Sequence, residues 1–173
     1  MKKIILMALL AGLFCFSKVY GQNSGRGSKL GIGADFIFPV GSFADKADFG
    51  TGASLLFQNR IAESLRFTVG LGYLRINGPA QFVGVKYKEG YVPIKAGLRY
   101  FLTENIYAGG ELGAAISSAN GSGSGTAFAY APGIGAEFPI LNDNSLDFNV
   151  RYEGWSRSDG TRSFIGLRAG FNF

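Results

Sequence analysis

Four carboxylates in this sequence could work in pairs as a general acid and a general base. They are Glu111, Glu137, Asp147 and Glu153. The last two lie close to Arg151 in the stretch LDFNVRYEGW, residues 146–155. The chain contains no histidine, so it lacks the side chain that most often activates a nucleophile or binds a transition metal. Acyl transfer through a histidine-activated nucleophile is therefore excluded.

The stretch from 146 to 155 alternates between apolar and polar side chains. The apolar phase holds Leu146, Phe148, Val150 and Tyr152, and the polar phase holds Asp147, Asn149, Arg151 and Glu153. Successive side chains point to opposite faces in an extended strand, whereas a helix would mix these two sets. The pattern predicts a β-strand with one apolar face and one charged face.

Seven further segments alternate in the same way and are separated by turn residues. The eight predicted strands cover 30–40, 49–58, 64–74, 91–101, 106–116, 127–139, 146–155 and 162–173. Ile37 and Leu56 are apolar exceptions in the polar phase. The longest predicted connection is 75–90, in which Asn77-Gly78-Pro79 breaks the pattern. The alternative for its middle, QFVGVKYKEG at 81–90, is an extension of the flanking hairpin beyond the membrane. Short even-numbered connections and mostly longer odd-numbered ones predict an all-β, eight-stranded antiparallel up-and-down barrel.

Residues 1–21 have the pattern of a cleavable signal peptide: Lys2 and Lys3, the apolar run 4–16, and a small-residue exit at Gly21. Residues 22–28 are then a flexible lead-in and 29–173 the barrel. Three of the 17 basic residues and none of the 12 acidic ones lie in the signal segment, which lowers the net charge of the mature chain from +5 to +2. The only cysteine, Cys15, is removed with it. The basic balance is therefore poor support for a nucleic-acid partner.

Small residues dominate the polar phase, which also carries ten full charges, five of each sign. The ten are Asp35, Arg66, Lys95, Arg99, Glu111, Glu137, Asp147, Arg151, Glu153 and Arg168. Small residues and balanced charges suit the narrow lumen of an eight-stranded barrel, because enclosed charges must be paired. About ten residues per strand, at ~3.4 Å each and tilted by roughly 40°, cover about 25 Å of a membrane. We therefore expect a transmembrane barrel with its apolar face toward lipid and a lumen charge network inside.

In these features the chain resembles the small outer-membrane β-barrel domain family, the eight-stranded OmpA/OmpX-like class. Its ending GLRAGFNF, with Phe171 and Phe173, is similar to the C-terminal sorting signal that the barrel-assembly machinery reads. The resemblance implies the outer membrane of a Gram-negative bacterium as the location. It also implies outer-membrane lipid and, during biogenesis, the assembly machinery as partners, and we expect a monomer. No particular activity follows from it.

The interpretation that we favour is a non-enzymatic outer-membrane barrel with a structural or surface-interaction role through its odd-numbered connections. A narrow pore or small-solute transport barrel is an alternative, although charges and tyrosines would fill the interior of eight strands. A soluble lipocalin-like carrier would need the apolar face inside. The paired charges indicate a salt-bridge network rather than catalysis, so we expect no catalytic residue, metal or cofactor.

Replacing Arg151 by leucine should lower the free energy of unfolding by about 3–5 kcal/mol, because the acids beside it would be left buried without a cation. Urea unfolding in detergent micelles or lipid vesicles measures this change. A near-neutral result would indicate that the charged face is solvated instead of enclosed.

Overall fold

The computed structural model describes residues 27–80, 86–117, 125–140, 143–158 and 160–173. The predicted signal peptide, 1–21, lies outside the described residues, as does most of the predicted lead-in, 22–28. Within the described residues, no helix is long and apolar enough to cross a membrane.

Eight strands and one short 3-10 helix, η1 at Gly41–Phe43, make up the described residues. The strands are β1 Lys29–Val40, β2 Phe49–Ala62, β3 Leu65–Ala80, β4 Lys86–Phe101, β5 Ile106–Ser117, β6 Thr126–Pro139, β7 Ser145–Arg157 and β8 Gly160–Asn172. Each strand pairs antiparallel with the next, and β8 pairs with β1, so the sheet closes on itself. The all-β fold, the strand number and the up-and-down topology predicted from the sequence are confirmed.

The region 75–90 is not wholly a connection, and its strands agree with the alternative that the flanking hairpin is extended. β3 continues to Ala80 and β4 begins at Lys86, so most of this region is a hairpin arm. The breaker Asn77-Gly78-Pro79 lies inside β3, where the register with β4 shifts between Asn77 and Ala80. A β-bulge of this kind absorbs a residue without ending the strand, which explains how the pairing survives a proline.

The β3–β4 hairpin extends beyond both of its neighbours. β2 pairs with β3 as far as Asn77, and β5 pairs with β4 as far as Tyr91. The connections 41–48 and 102–105 have their predicted lengths, whereas the others are shorter than predicted, and only 158–159 separates β7 from β8. The expected difference between short and long connections therefore holds only for 41–48 and 118–125, which follow β1 and β5.

The two faces of the sheet have opposite character. On β7, the outward residues Leu146, Phe148, Val150 and Tyr152 are exposed, whereas Asp147 and Glu153 are completely buried. Large apolar side chains are exposed in the same way on β1 to β6, and the outward Ile165, Leu167 and Phe171 of β8 are half-buried. The barrel thus has an apolar outside and a polar inside, which is the reverse of a water-soluble protein.

Apolar side chains fill one end of the interior, near the connections that follow β1, β3, β5 and β7. This apolar plug comprises Ile37, Phe43, Ala47, Leu74, Ile76, Tyr91, Ala115, Ala127, Ala129, Trp155 and Phe164. The ring of Trp155 lies 4.6 Å from the Tyr91 ring and 4.8 Å from the Phe164 ring, centre to centre. Ile37, an exception in the polar phase of the sequence, belongs to this plug. The interior is therefore polar for only part of its length.

Candidate functional site

The lumen below the apolar plug holds the charged side chains. Of the ten charged residues named from the sequence, eight are buried, and Arg66 and Glu111 are half-buried. Each projects from the inward phase of its strand, opposite the exposed apolar phase. The guanidinium groups fit because neighbouring inward positions are glycine: the Arg168 side chain lies against Gly33 and Gly170, and that of Arg151 against Gly166.

Arg151 is the centre of the first group of ion pairs. Its Nη2 lies 2.8 Å from Asp35 Oδ1, and its Nε lies 2.8 Å from Glu153 Oε2. Lys95 Nζ then joins Glu153 Oε2 at 2.9 Å to Glu111 Oε2 at 3.1 Å. Five side chains from four strands therefore share one chain of charges, in which every carboxylate has a cation beside it.

Asp147 is the centre of the second group. Its Oδ2 accepts hydrogen bonds from Arg99 Nη1 at 2.6 Å and from the Tyr107 hydroxyl at 3.0 Å, and Arg168 Nη1 lies 3.0 Å from its Oδ1. Ser54 links this group to the first, since its hydroxyl donates to Asp35 and accepts from Arg168 Nε. Eight of the ten charges thus belong to one continuous network.

Arg66 and Glu137 form a separate cluster toward the other end of the barrel, with Arg66 Nη1 2.7 Å from Glu137 Oε2. The Glu137 carboxylate also accepts from Lys29 at 3.2 Å, Gln58 at 3.2 Å and Ser145 at 2.8 Å. Sequence reasoning missed Lys29, although it precedes Gly31 and Asp35 in the same inward phase. The position of Lys29 in this inward phase could have identified it as a lumen residue.

A further ion pair lies at the plugged end. Arg162 Nη1 is 3.0 Å from Glu89 Oε2, and the Ser117 hydroxyl donates to Glu89 Oε1 at 3.1 Å. Sequence reasoning missed this pair because it placed Glu89 in a connection. Arg162 could have been found, since it shares the inward phase of Arg168.

Each of the four carboxylates that could have worked in acid–base pairs, Glu111, Glu137, Asp147 and Glu153, has a cation beside it. Glu153, for example, accepts from Lys95 and Arg151 at one oxygen and from the Trp155 indole N–H, at 2.8 Å, at the other. The cavity beside Asp35, Arg151 and Arg168 has a volume of about 40 Å³. Ligand sites typically measure roughly 300–1,000 Å³, so this space suits an ordered water rather than a substrate. In the part of the chain that the structure describes, no group of three or more acidic, histidine or cysteine side chains could hold a metal.

Phe171 and Phe173, named from the sequence as a sorting signal, lie at the closing seam. Their rings are 6.3 Å apart, and the Phe173 side chain is exposed. The backbone of Phe173 exchanges two hydrogen bonds with that of Leu30, at 3.0 and 2.8 Å. The last residue is therefore held to the first strand.

The closed sheet, its apolar outside and its charged inside define an eight-stranded antiparallel β-barrel with the fold of small outer-membrane barrels. Neisserial surface protein A is similar, with a TM-score of 0.60 and 20% identity over 86% of this chain and 98% of that one. Ail, the attachment invasion locus protein of Yersinia pestis in complex with the heparin analogue sucrose octasulfate, gives 0.56 and 19% over 86% and 99%. The N-terminal β-barrel domain of Pseudomonas aeruginosa OprF gives 0.52 and 15% over 86% and 99%. No protein-family model and no curated protein sequence matches the chain.

Replacing Gly33 by alanine should lower the free energy of unfolding by about 1–3 kcal/mol, since the new methyl group displaces a buried side chain. Its Cβ would lie only 2.7 Å from Arg168 Nε, so the buried guanidinium that bonds Asp147 and Ser54 would have to shift. Urea unfolding measures the change. Gly110→Ala is the control, because its Cβ would meet no atom within 4 Å and should cost nothing. Equal effects of the two variants would contradict a tightly fitted lumen.

Proposed function

We propose that this chain is a non-enzymatic outer-membrane β-barrel protein with a closed lumen, which acts as a structural and surface-contact component of the envelope. The apolar outer face is the observation that carries the proposal. Soluble monomers rarely expose contiguous apolar patches beyond a few hundred Å². A face of this kind around a whole barrel suits the hydrocarbon core of a bilayer, in which closure also satisfies every strand edge.

The distribution of charge supports lipid over water as the surrounding medium. A soluble lipocalin-like carrier needs an apolar interior to hold its ligand and a polar outside. Here the outward residues of β7 are apolar, and the carboxylates of Asp147 and Glu153 are inside. If the protein were a soluble carrier, its apolar face would lie in water, at a cost of roughly 25 cal/mol for each Å² exposed.

A closed barrel is also favoured over the alternative of a narrow pore. Two layers obstruct the lumen: the apolar plug around Trp155 and the charge network around Arg151. A permeating ion would have to break buried ion pairs and then pass a dry apolar layer, and both steps are costly. We therefore expect purified protein in planar lipid bilayers to show no sustained single-channel conductance. Stable conductance steps would favour the pore.

The plugged end is the surface that we propose for contacts outside the cell. It carries the 41–48 connection, with Asp45, Lys46 and Asp48 exposed, and the projecting β3–β4 hairpin. Loops and strand ends on a rigid barrel can vary without disturbing the fold. Two structural neighbours carry names of surface or attachment proteins, and one was solved with a heparin analogue, which supports testing sulfated glycans as ligands.

We propose the following biogenesis for the same protein. Residues 1–21 act as a signal peptide that is cleaved after Gly21, and the chain crosses the inner membrane. Phe171 and Phe173 act as the sorting signal for the barrel-assembly machinery, which fits their position at the closing seam. The folded barrel is a monomer, since the ladder leaves no open sheet edge between β1 and β8.

The full-length chain, expressed in a Gram-negative host, should fractionate with outer membranes and migrate faster on gels when it is loaded unheated. The shift is expected because a closed barrel stays compact in detergent until heating unfolds it. Fractionation and paired heated and unheated lanes measure both properties. Recovery of the mature protein in the soluble fraction would overturn the proposal.

A variant with a charge on the outer face tests directly whether this face contacts lipid. Val150→Arg places a cation in the middle of the apolar phase of β7, where insertion should cost about 2–4 kcal/mol. Its membrane-inserted, heat-modifiable form should therefore decrease. Thr161→Arg, at an exposed position near the plugged end, is the matched control and should insert normally.

A further inference from the structure

The lumen charges are divided unevenly between the two halves of the chain. Among the ten charges named above, those of β1–β4 are the cations Arg66, Lys95 and Arg99 and one acid, Asp35. Those of β5–β8 are the acids Glu111, Glu137, Asp147 and Glu153 and two cations, Arg151 and Arg168. The first half of this set is therefore net positive and the second half net negative. Their opposite signs face each other across the lumen.

Most of the ion pairs join the two halves. Seven of the nine among the described residues join a strand of the first half to a strand of the second. In five of them the cation belongs to the first half and the acid to the second. In Arg151–Asp35 and Arg162–Glu89 the polarity is reversed. Only Arg151–Glu153 and Arg168–Asp147 lie within one half. Arg151 and Asp35 are 116 residues apart in sequence, so their pair forms only when distant strands meet.

We propose that the lumen charges guide closure of the barrel. Their attraction draws the two four-stranded halves together and selects the register of the β1–β8 seam. Backbone pairing alone does not fix this register, because a slip of two residues returns every side chain to the same face. The charges do distinguish such a slip. Asp35 lies directly opposite Arg168 in the seam, and its own cation is Arg151 on the next strand. A shifted seam would separate these partners and leave charges buried without partners.

This attraction should act before the barrel closes, while water still fills the space between the halves. Coulomb attraction in water reaches about 10 Å at 0.1 M salt and only about 3 Å at 1 M. Closure should therefore depend on ionic strength, as other electrostatically steered associations do. Once the water is excluded, the same pairs strengthen because the local dielectric constant falls.

The test is to follow closure of the full chain from urea into zwitterionic lipid vesicles at a series of NaCl concentrations. Trp155, the only tryptophan, reports closure by fluorescence, because its ring contacts Tyr91 of the first half and Phe164 of the second. The unheated gel shift provides a second readout. Raising NaCl from about 0.01 M to about 1 M, which shortens the screening length from roughly 30 Å to roughly 3 Å, should slow closure several-fold.

Two variants separate attraction between the halves from loss of an ion pair as such. Arg99→Gln and Arg168→Gln each remove one cation from the same Asp147 carboxylate, and both side chains are equally buried. Arg99 forms an ion pair between the two halves. The ion pair of Arg168 lies within the second half, and its side chain reaches the first half through the uncharged Ser54 hydroxyl and the contact with Gly33. Arg99→Gln should slow closure several-fold and weaken its salt dependence, and Arg168→Gln should mainly speed unfolding.

A closure rate of the unsubstituted chain that is independent of salt would overturn the proposal, even where a variant fails to fold. Equal slowing by Arg99→Gln and Arg168→Gln would overturn it as well. The outcome is separate from that of the proposed function. A chain that closes in buffer without lipid would contradict the membrane reading, and its salt dependence would still decide whether the charges guide closure.

Discussion

Pairing of full charges inside a narrow lumen is the constraint on which the rest of this barrel depends. Eight strands enclose only enough space for side chains, so every carboxylate there needs a cation within reach. Arg151 meets this need for both Asp35 and Glu153, and Asp147 lies between Arg99 and Arg168. The longest of these side chains occupy space beside inward glycines, as Arg168 does beside Gly33 and Gly170. The composition of the inward phase follows from this requirement.

The period-two alternation was sufficient to predict the fold, the strand number and the phase of each charged residue. It could not predict partners, because Arg151 and Asp35 are 116 residues apart and only the closed sheet brings them together. Strand ends were the weaker part of the prediction: a proline at residue 79 looks like a breaker, but a bulge absorbs it. Glu89 was missed for that reason. Ile37 was noticed only as an exception, since a local pattern does not reveal the plug that it joins.

The interior therefore combines two ways of excluding solvent. At one end, aromatic and aliphatic side chains such as Trp155 and Phe164 pack as in an ordinary protein core. Farther along, space is occupied by charged groups that satisfy one another, as Lys95 does between Glu111 and Glu153. The hydrophobic plug adds stability by burial, and the ionic part adds selectivity for one arrangement of strands.

The contact between glycines and arginines across strands has a consequence for how this sequence can change over time. The Arg168 guanidinium occupies the volume that side chains at Gly33 and Gly170 would need, and Arg151 does the same at Gly166. Enlarging one of these glycines is tolerable only together with a shorter residue in place of the arginine, and that in turn leaves an acid in excess. Neighbouring substitutions of this kind are not additive. Lumen residues are thus expected to change in compensating sets. Residues of the apolar outer face are expected to change one at a time.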